Sequence, residues 1–361
     1  MQTIEELLTK AVDENASDVH LTVGVPPLYR VYGQLDKVSH WESLTPVSIR
    51  ELLTPLLNES RVKRLMETGQ IDFSYGVPGI ARFRVNIFRQ RGTYAAALRL
   101  IPTQIRALDE LGLPEAVKQF TEKTRGLVLV TGATGSGKTT TLAAMIDLIN
   151  STRNSHIITL EDPIEFLHQH KQSIINQREI NTDTDSFANG LRAALREDPD
   201  VILVGEMRDF ETIQTAITAA ETGHLVFATL HTNDTVQTVD RIIDVFPPHQ
   251  QQQIRTQLSL SLLGVIAQQL LPRLDQPGRA IAAEMMVVNS AIRSLVREGK
   301  THQIRASIQT GGKFGMQTMD SALTYLVQHR IVSFAEAHLH AIDQEEFRRL
   351  NSNDYIHAGG R

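Results

Sequence analysis

The stretch GATGSGKTTT, Gly132 to Thr141, decides how this chain folds. Gly132, Gly137, Lys138 and Thr139 satisfy G-x-x-x-x-G-K-[ST], directly after the apolar run LVLVT (127–131) and directly before a helical pattern. A glycine-rich turn between a buried strand and a helix lets backbone N–H groups close around phosphate oxygens. The helix N-terminus adds positive potential. Ala133, Thr134, Gly135 and Ser136 form the crest of that turn, and Thr140 carries it into the helix. Lys138 has the reach for the β and γ phosphates, and the Thr139 hydroxyl is placed to help hold Mg²⁺. ATP with Mg²⁺ is the expected ligand. The motif says nothing about what its energy drives.

Downstream of the loop, short apolar runs alternate with helical patterns: SHIITLED, FANGLRAALRE, DVILVGE, FETIQTAITAAE and HLVFATLH. That alternation predicts an α/β fold with a mostly parallel sheet covered on both faces. Beyond about residue 250 the pattern reads as largely helical. Upstream, residues 1–100 read as a small α+β domain: a helix over TIEELLTKAVDE, a hairpin over DVHLTVGVPPLYRVYGQL, two further helices, then antiparallel strands turning at Gly79 and Gly92. Residues 101–113 read as a linker and hinge, with Pro102 and Gly112, leading into an ATPase domain over 114–361 with a helical C-terminal part.

Three further stretches carry candidate chemistry. In DVILVGEMRD an apolar strand ends in Glu206, where a carboxylate beside the phosphate loop can hold the magnesium water shell or polarise a water. In TLEDPIEF, Glu161, Asp162 and Glu165 directly follow the strand HIIT. Hydrolysis needs a carboxylate to orient a water in line with the γ-phosphate, and three acids beside a polyanion are costly unless Mg²⁺ and arginines offset them. In TGHLVFATLHTN, His224 and His231 bracket a strand, so they lie at opposite ends and do not share a metal. A histidine at the phosphate end could sense the γ-phosphate; a lone histidine in a strand turn is more often structural.

The bulk composition excludes several classes. With no cysteine among 361 residues, disulfides, thiol catalysis and cysteine-ligated zinc are ruled out. A net charge of −5 and 5% aromatic residues argue against a nucleic-acid binder. The acidic, amphipathic N-terminus does not read as a signal peptide, and no apolar run has the length of a membrane span, so the expected location is cytoplasmic with only peripheral membrane contact.

Taken together, GATGSGKTTT, TLEDPIEF, LREDPDVILVGEMRD and AAETGHLVFATLHTN resemble the Walker A, Asp box, Walker B and His box of the secretion ATPases. That superfamily powers type II and type IV secretion and type IV pili. AIRSLVREGK, Ala291 to Lys300, is similar to the AIRNLIRE motif of the pilus-retraction branch, with Ser294 and Val296 in place of Asn and Ile. QTGGKFGMQTMD, Gln309 to Asp320, and the N-terminal ASDVHL are similar to stretches of the same branch. The resemblance implies a RecA-like P-loop domain preceded by a PAS-like N-terminal domain. It implies Lys138 and Thr139 on phosphate and Mg²⁺, Glu165 for water activation, Glu206 in the Walker B role, also toward Mg²⁺, and His224 and His231 on the nucleotide face. Arg82, Arg99 and Arg106 are the candidates for arginines acting on a neighbouring subunit's site.

The same resemblance implies a homohexameric ring that pulls on an inner-membrane platform protein at the pilus base, alone or with an accessory paralogue of its own kind. An accessory retraction ATPase and an assembly or type II secretion ATPase stay open as alternatives. The absence of a tetracysteine zinc insertion and the short N-terminal region favour retraction. In AIRSLVREGK the residues Ala291, Ile292, Arg293, Leu295, Val296, Arg297 and Glu298 are then coupling residues, although on pattern alone they form an ordinary surface helix with Ile292, Leu295 and Val296 on one face. Leu295→Ala is expected to spare ATP hydrolysis and abolish motility.

Overall fold

The computed structural model describes residues 3–351 except 32, 102 and 103. Its contacts divide the chain into two units. One is Met1–Gln104 together with Pro163–Leu167; the other is Ile105–Asp162 together with His168–Arg361.

The first unit is built on one six-stranded antiparallel sheet. Its strands are β1 (Asp18–Leu21), β2 (Leu28–Val31), β3 (Gln34–Lys37), β4 (Gln70–Val77), β5 (Ala81–Gln90) and β6 (Thr93–Ile101), in the order β3-β2-β1-β6-β5-β4. In β5 the alternation decides the face: Ala81, Phe83, Val85 and Ile87 are buried, and Arg82 and Arg84 project from the other side. Three helices accompany the sheet: α1 (Ile4–Asp13), α2 (Pro46–Leu53) and α3 (Glu59–Thr68). Thr3 and Glu6 close a capping box at the start of α1, with bonds of 3.2 and 3.0 Å. Ile4, Leu7, Leu8 and Ala11 give α1 one buried stripe, and the buried Tyr29 hydroxyl donates to the Leu7 carbonyl at 2.5 Å.

The second unit holds the phosphate loop. Its strands are β7 (Gly126–Thr131), β8 (His156–Glu161), β9 (Ile174–Glu179), β10 (Val201–Val204), β11 (Leu225–Leu230), β12 (Leu262–Pro272) and β13 (Arg279–Val287). They form one sheet in the order β13-β12-β7-β11-β10-β8-β9, parallel throughout except that β12 and β13 pair antiparallel. The helices are α4 (Lys118–Thr121), α5 (Lys138–Thr152), α6 (Phe187–Ala194), α7 (Phe210–Glu221), α8 (Thr235–Asp244), α9 (Pro248–Ser261), α10 (Ser290–Arg297), α11 (Ile304–Gln309), α12 (Met319–Gln328), α13 (Phe334–His340) and α14 (Gln344–Leu350).

Strand β7 is buried along its whole length, with helices on both sides. Leu127 and Leu129 point into a core shared with Ile213 of α7, Val239 of α8 and Ile254 of α9. Val128 and Val130 point into the opposite core, with Leu142, Ile146 and Ile149 of α5. Both faces being covered explains why these strands read as continuous apolar runs. The fold is therefore the α/β class expected, with a parallel-rich sheet.

Two expectations are corrected. Helices α9 to α14 do make up most of the secondary structure beyond residue 250, but two strands the pattern did not announce, β12 and β13, follow α9 and add to the sheet, with β12 lying directly beside β7. LLGVIAQQLLP and RAIAAEMMV are rich in Ala, Leu, Gln and Met, which favour helices by intrinsic propensity; burial beside β7 overrides it. The linker expected over 101–113 is shorter: Ile105 onward groups with the second unit, where Leu108 joins the α5 core. Pro102, the proposed hinge residue, lies outside the described residues.

QTGGKFGMQTMD is a packing junction. The Gln317 backbone pairs with Met285 of β13, and Thr318 caps α12. Asp320, 2% exposed, takes the Ile342 N–H at 2.7 Å, the Asp343 N–H at 3.2 Å and the Arg305 guanidinium at 2.7 Å.

Candidate ATP site

The loop between β7 and α5 is shaped by its glycines. Gly132 has φ 140°, and a Cβ there would stand 2.4 Å from the Gln268 carbonyl oxygen and 2.5 Å from Ser136 Oγ. No other residue fits. Gly137, at φ 93°, is the N-cap of α5 and offers no capping side chain, so the first N–H groups of the helix stay open to an anion. Ala133, Thr134 and Gly135 are exposed at the crest; Thr139 and Thr140 are half-buried in the first turn of α5. Lys138 is only 8% exposed, and its ammonium donates to the carbonyls of Gly132 at 2.7 Å and Ala133 at 3.0 Å. The Ser136 hydroxyl is buried and has no hydrogen-bond partner among the described residues. An open helix end, a buried ammonium and an unpaired hydroxyl turned into one glycine cradle fit a phosphate group.

One wall of the cradle was not legible in the sequence. Strand β12 brings Gln268 against Gly132, and the Gln268 side-chain amide donates to Thr141 Oγ1 of α5 at 2.8 Å. Leu270 of β12 lies 3.5 Å from where a Gly137 Cβ would stand. The partners are more than a hundred residues apart in sequence, in a region that reads as helix.

Because β8, β10 and β11 run parallel in the same sheet as β7, their C-terminal ends reach the edge that carries the loop. Strand β10 stops at Val204, so Glu206 stands two residues beyond it and not at its end as expected. The turn is fixed by the Met207 N–H donating to the Thr229 carbonyl at 3.0 Å and by the Thr229 hydroxyl donating to the Gly205 carbonyl at 2.5 Å. His231 directly follows the neighbouring β11, and its Nε2 lies 3.1 Å from Glu206 Oε1. Arg208 donates to the same carboxylate oxygen, and that hydrogen bond raises the Arg208 pKa. Adjacent strands thus assemble Glu206, His231 and Arg208. The last of these sits within DVILVGEMRD, but its role was not read from the sequence.

His224 is corrected. It precedes β11, at the opposite edge of the sheet, where its Nδ1 lies 3.0 Å from the Ala219 carbonyl. A six-residue strand separates it from His231, a span of about 20 Å. It does not face the phosphate loop of its own chain.

The acidic stretch is also corrected. Glu161 is the last residue of β8 and not a loop residue; it is 7% exposed, and its Oε1 accepts from the Thr159 hydroxyl at 2.6 Å and the Gln177 amide at 3.1 Å. Asp162 follows it and is exposed. Glu165, half-buried, belongs to Pro163–Leu167, which groups with the first unit.

The candidate arginines differ in their partners. Arg82 donates to the Ser74 hydroxyl. Arg99 pairs with Asp18 at 2.9 Å; burial alone would raise the Asp18 carboxyl pKa, but this bond and that from Ser17 outweigh it and hold the pKa down. Arg106 is in the second unit and donates to the Glu110 carbonyl at 3.0 Å. In α10, Ile292 and Val296 are fully buried in the main core and Leu295 packs partly against it. Ala291, Arg293, Arg297 and Glu298 are exposed, and Arg297 donates to the Ser294 hydroxyl at 3.2 Å. Among the described residues no cluster of three or more His, Asp or Glu could hold a metal ion, and no helix is long and apolar enough to cross a membrane.

Comparison with known proteins agrees with this geometry. The family model for type II/IV secretion system proteins matches residues 1–319. The type IV pilus retraction ATPase PilT of Pseudomonas aeruginosa is 48% identical over 95% of this chain and 99% of its own. A twitching motility protein of Neisseria gonorrhoeae is 49% identical over 88% of this chain and 85% of its own. A crystal structure of the pilus retraction motor PilT with bound ADP superposes with a TM-score of 0.91 at 48% identity, covering 97% of this chain and all of that one. The chain belongs to the type II/IV secretion system protein family and is one of its nucleotide-binding P-loop ATPases.

Proposed function

We propose that this ATPase is the motor that retracts type IV pili, drawing fibre subunits back from the pilus base and so driving twitching motility. One observation carries the ATPase chemistry: the Glu206–His231 contact of 3.1 Å on the sheet edge that bears the glycine cradle of Lys138. The 48% identity to PilT across nearly the whole chain supports retraction as the work done.

In this reading Lys138 leaves its loop carbonyls for the β and γ phosphates, while the α5 N–H groups hold the same oxygens. Thr139 and Glu206 are the residues that would hold Mg²⁺, which would supply charge neutralisation to the phosphates when bound. Glu165 orients the attacking water. His231 turns toward the γ-phosphate while keeping its contact with Glu206. Arginines of the first unit, Arg82 and Arg99, reach the site of a neighbouring subunit in a homohexameric ring. The ring works in the cytoplasm against an inner-membrane platform protein, alone or with an accessory paralogue.

The test is a count of surface pili and a motility assay in cells whose only copy carries Lys138→Ala. More pili and no motility is the expected result. Fewer or no pili would mean that the ATPase builds the fibre. Unchanged pili and motility, with a second retraction ATPase present, would assign this chain the accessory role.

A further inference from the structure

Glu284 lies in the middle of β13 and is 3% exposed. A carboxylate inside a core is unfavourable unless its oxygens are occupied. Here Oε1 accepts the Thr235 N–H at 2.9 Å and the Thr235 hydroxyl at 2.7 Å, and Oε2 accepts the Met319 N–H at 3.3 Å. Thr235 and Met319 are the first residues of α8 and α12, so one carboxylate serves two helix N-termini, the ends at which negative charge is favoured. Burial pushes its pKa up, and the Thr235 and Met319 bonds oppose that rise.

The connection to the ATP site is short. Helix α8 begins four residues after His231. The intervening turn is closed by hydrogen bonds: the Thr232 and Thr238 hydroxyls are 2.7 Å apart, and Asp234 Oδ1 accepts the Gln237 N–H at 2.8 Å. On its other side His231 is continuous with β11, whose last residue Leu230 is paired to Thr131 at the root of the phosphate loop. The backbone of His231 is thus pinned by β11 on one side and by Thr235 on the other.

We infer that Glu284 is a positioning residue for ATP hydrolysis: by fixing Thr235 it sets where His231 meets Glu206. The inference rests on the reading of His231 as a group that acts at the γ-phosphate. A packing staple with no influence on His231 is the competing role, and steady-state kinetics separates the two.

Full-length assembled protein is compared as wild type, Thr235→Val, Glu284→Gln, His231→Ala and the double variant Thr235→Val/His231→Ala, by ATP hydrolysis and thermal unfolding. Thr235→Val keeps the branched shape and the N–H but removes the hydroxyl donor. It is expected to lower kcat about tenfold, with KM for ATP unchanged and Tm within a few degrees of wild type. The double variant is expected to be no slower than His231→Ala alone. Glu284→Gln keeps a carbonyl acceptor for Thr235 and turns its amide against the Met319 N–H, so it loses stability while retaining most of kcat. Should Glu284→Gln fail to fold, the Thr235→Val cycle stands by itself. A lower Tm with unchanged kcat in Thr235→Val would leave only the staple. Losses that multiply in the double variant would overturn the inference and spare the reading of His231. An unchanged kcat in His231→Ala would overturn both.

Discussion

Lys138 shows how much a single residue reports. Its ammonium is already satisfied by the carbonyls of Gly132 and Ala133, so a phosphate must replace those bonds and not simply add to them. The pattern around Lys138 was readable from ten residues because loop, strand and helix are contiguous. Gln268 was not, since its bond to Thr141 depends on which strand lies next to β7. His168 carries a residue-scale prediction. Its backbone N–H donates to Gln177 Oε1 at 2.8 Å, and burial pushes the imidazole pKa down from 6.5 to about 4. A folded-state pKa below the unfolded value means that the neutral ring contributes fully above pH 6.5 and that this contribution is lost as pH falls toward 4. The loss is on the order of 3 kcal/mol. His168→Gln should therefore flatten the dependence of the urea midpoint on pH across that window, relative to wild type. An identical slope in both proteins would show that His168 is protonated in the folded state.

At the scale of elements, α10 separates packing from surface. The motif read by resemblance as coupling contains two residues, Ile292 and Val296, that are fully buried in the main core. Substitutions there test stability before they test coupling: Val296→Ala should cost about 2 kcal/mol, read as a lower unfolding midpoint. Leu295, packed partly against the same core, is a mixed case, so the expectation that Leu295→Ala spares hydrolysis is less clean than the sequence suggests. The exposed Arg293 is the cleaner probe. Arg293→Ala should leave Tm and ATP hydrolysis unchanged and abolish twitching; loss of hydrolysis together with motility would remove it from a coupling role. Element legibility followed the same physics. Amphipathic α10 and the apolar β7, β8, β10 and β11 announce themselves, because burial and periodicity agree with local propensity. Strands β12 and β13 do not, because their Ala, Leu, Met and Gln content favours helix and only their place beside β7 decides.

At the scale of the whole molecule, the candidate catalytic groups divide between the two units. The phosphate loop, Glu206 and His231 belong to the second unit, whereas Glu165, Arg82 and Arg99 belong to the first. If the first-unit arginines serve a neighbouring subunit, two inactive variants must repair each other. Lys138→Ala removes the phosphate contact but keeps the arginines, and an Arg82→Ala, Arg99→Ala double variant does the reverse. Each alone should hydrolyse little ATP. Mixed in equal amounts and allowed to exchange subunits, they place an intact loop against an intact arginine pair at a quarter of the ring interfaces. Random assembly should then recover roughly a quarter of wild-type hydrolysis, provided the sites act independently. Recovery well below that, but above zero, would mean that neighbouring sites must fire in concert. No recovery, with exchange verified by mixed-mass rings, would place the arginines on the site of their own chain. The two parent activities calibrate the result: residual hydrolysis by the arginine variant alone would assign the charge stabilisation to Arg208, which already contacts Glu206.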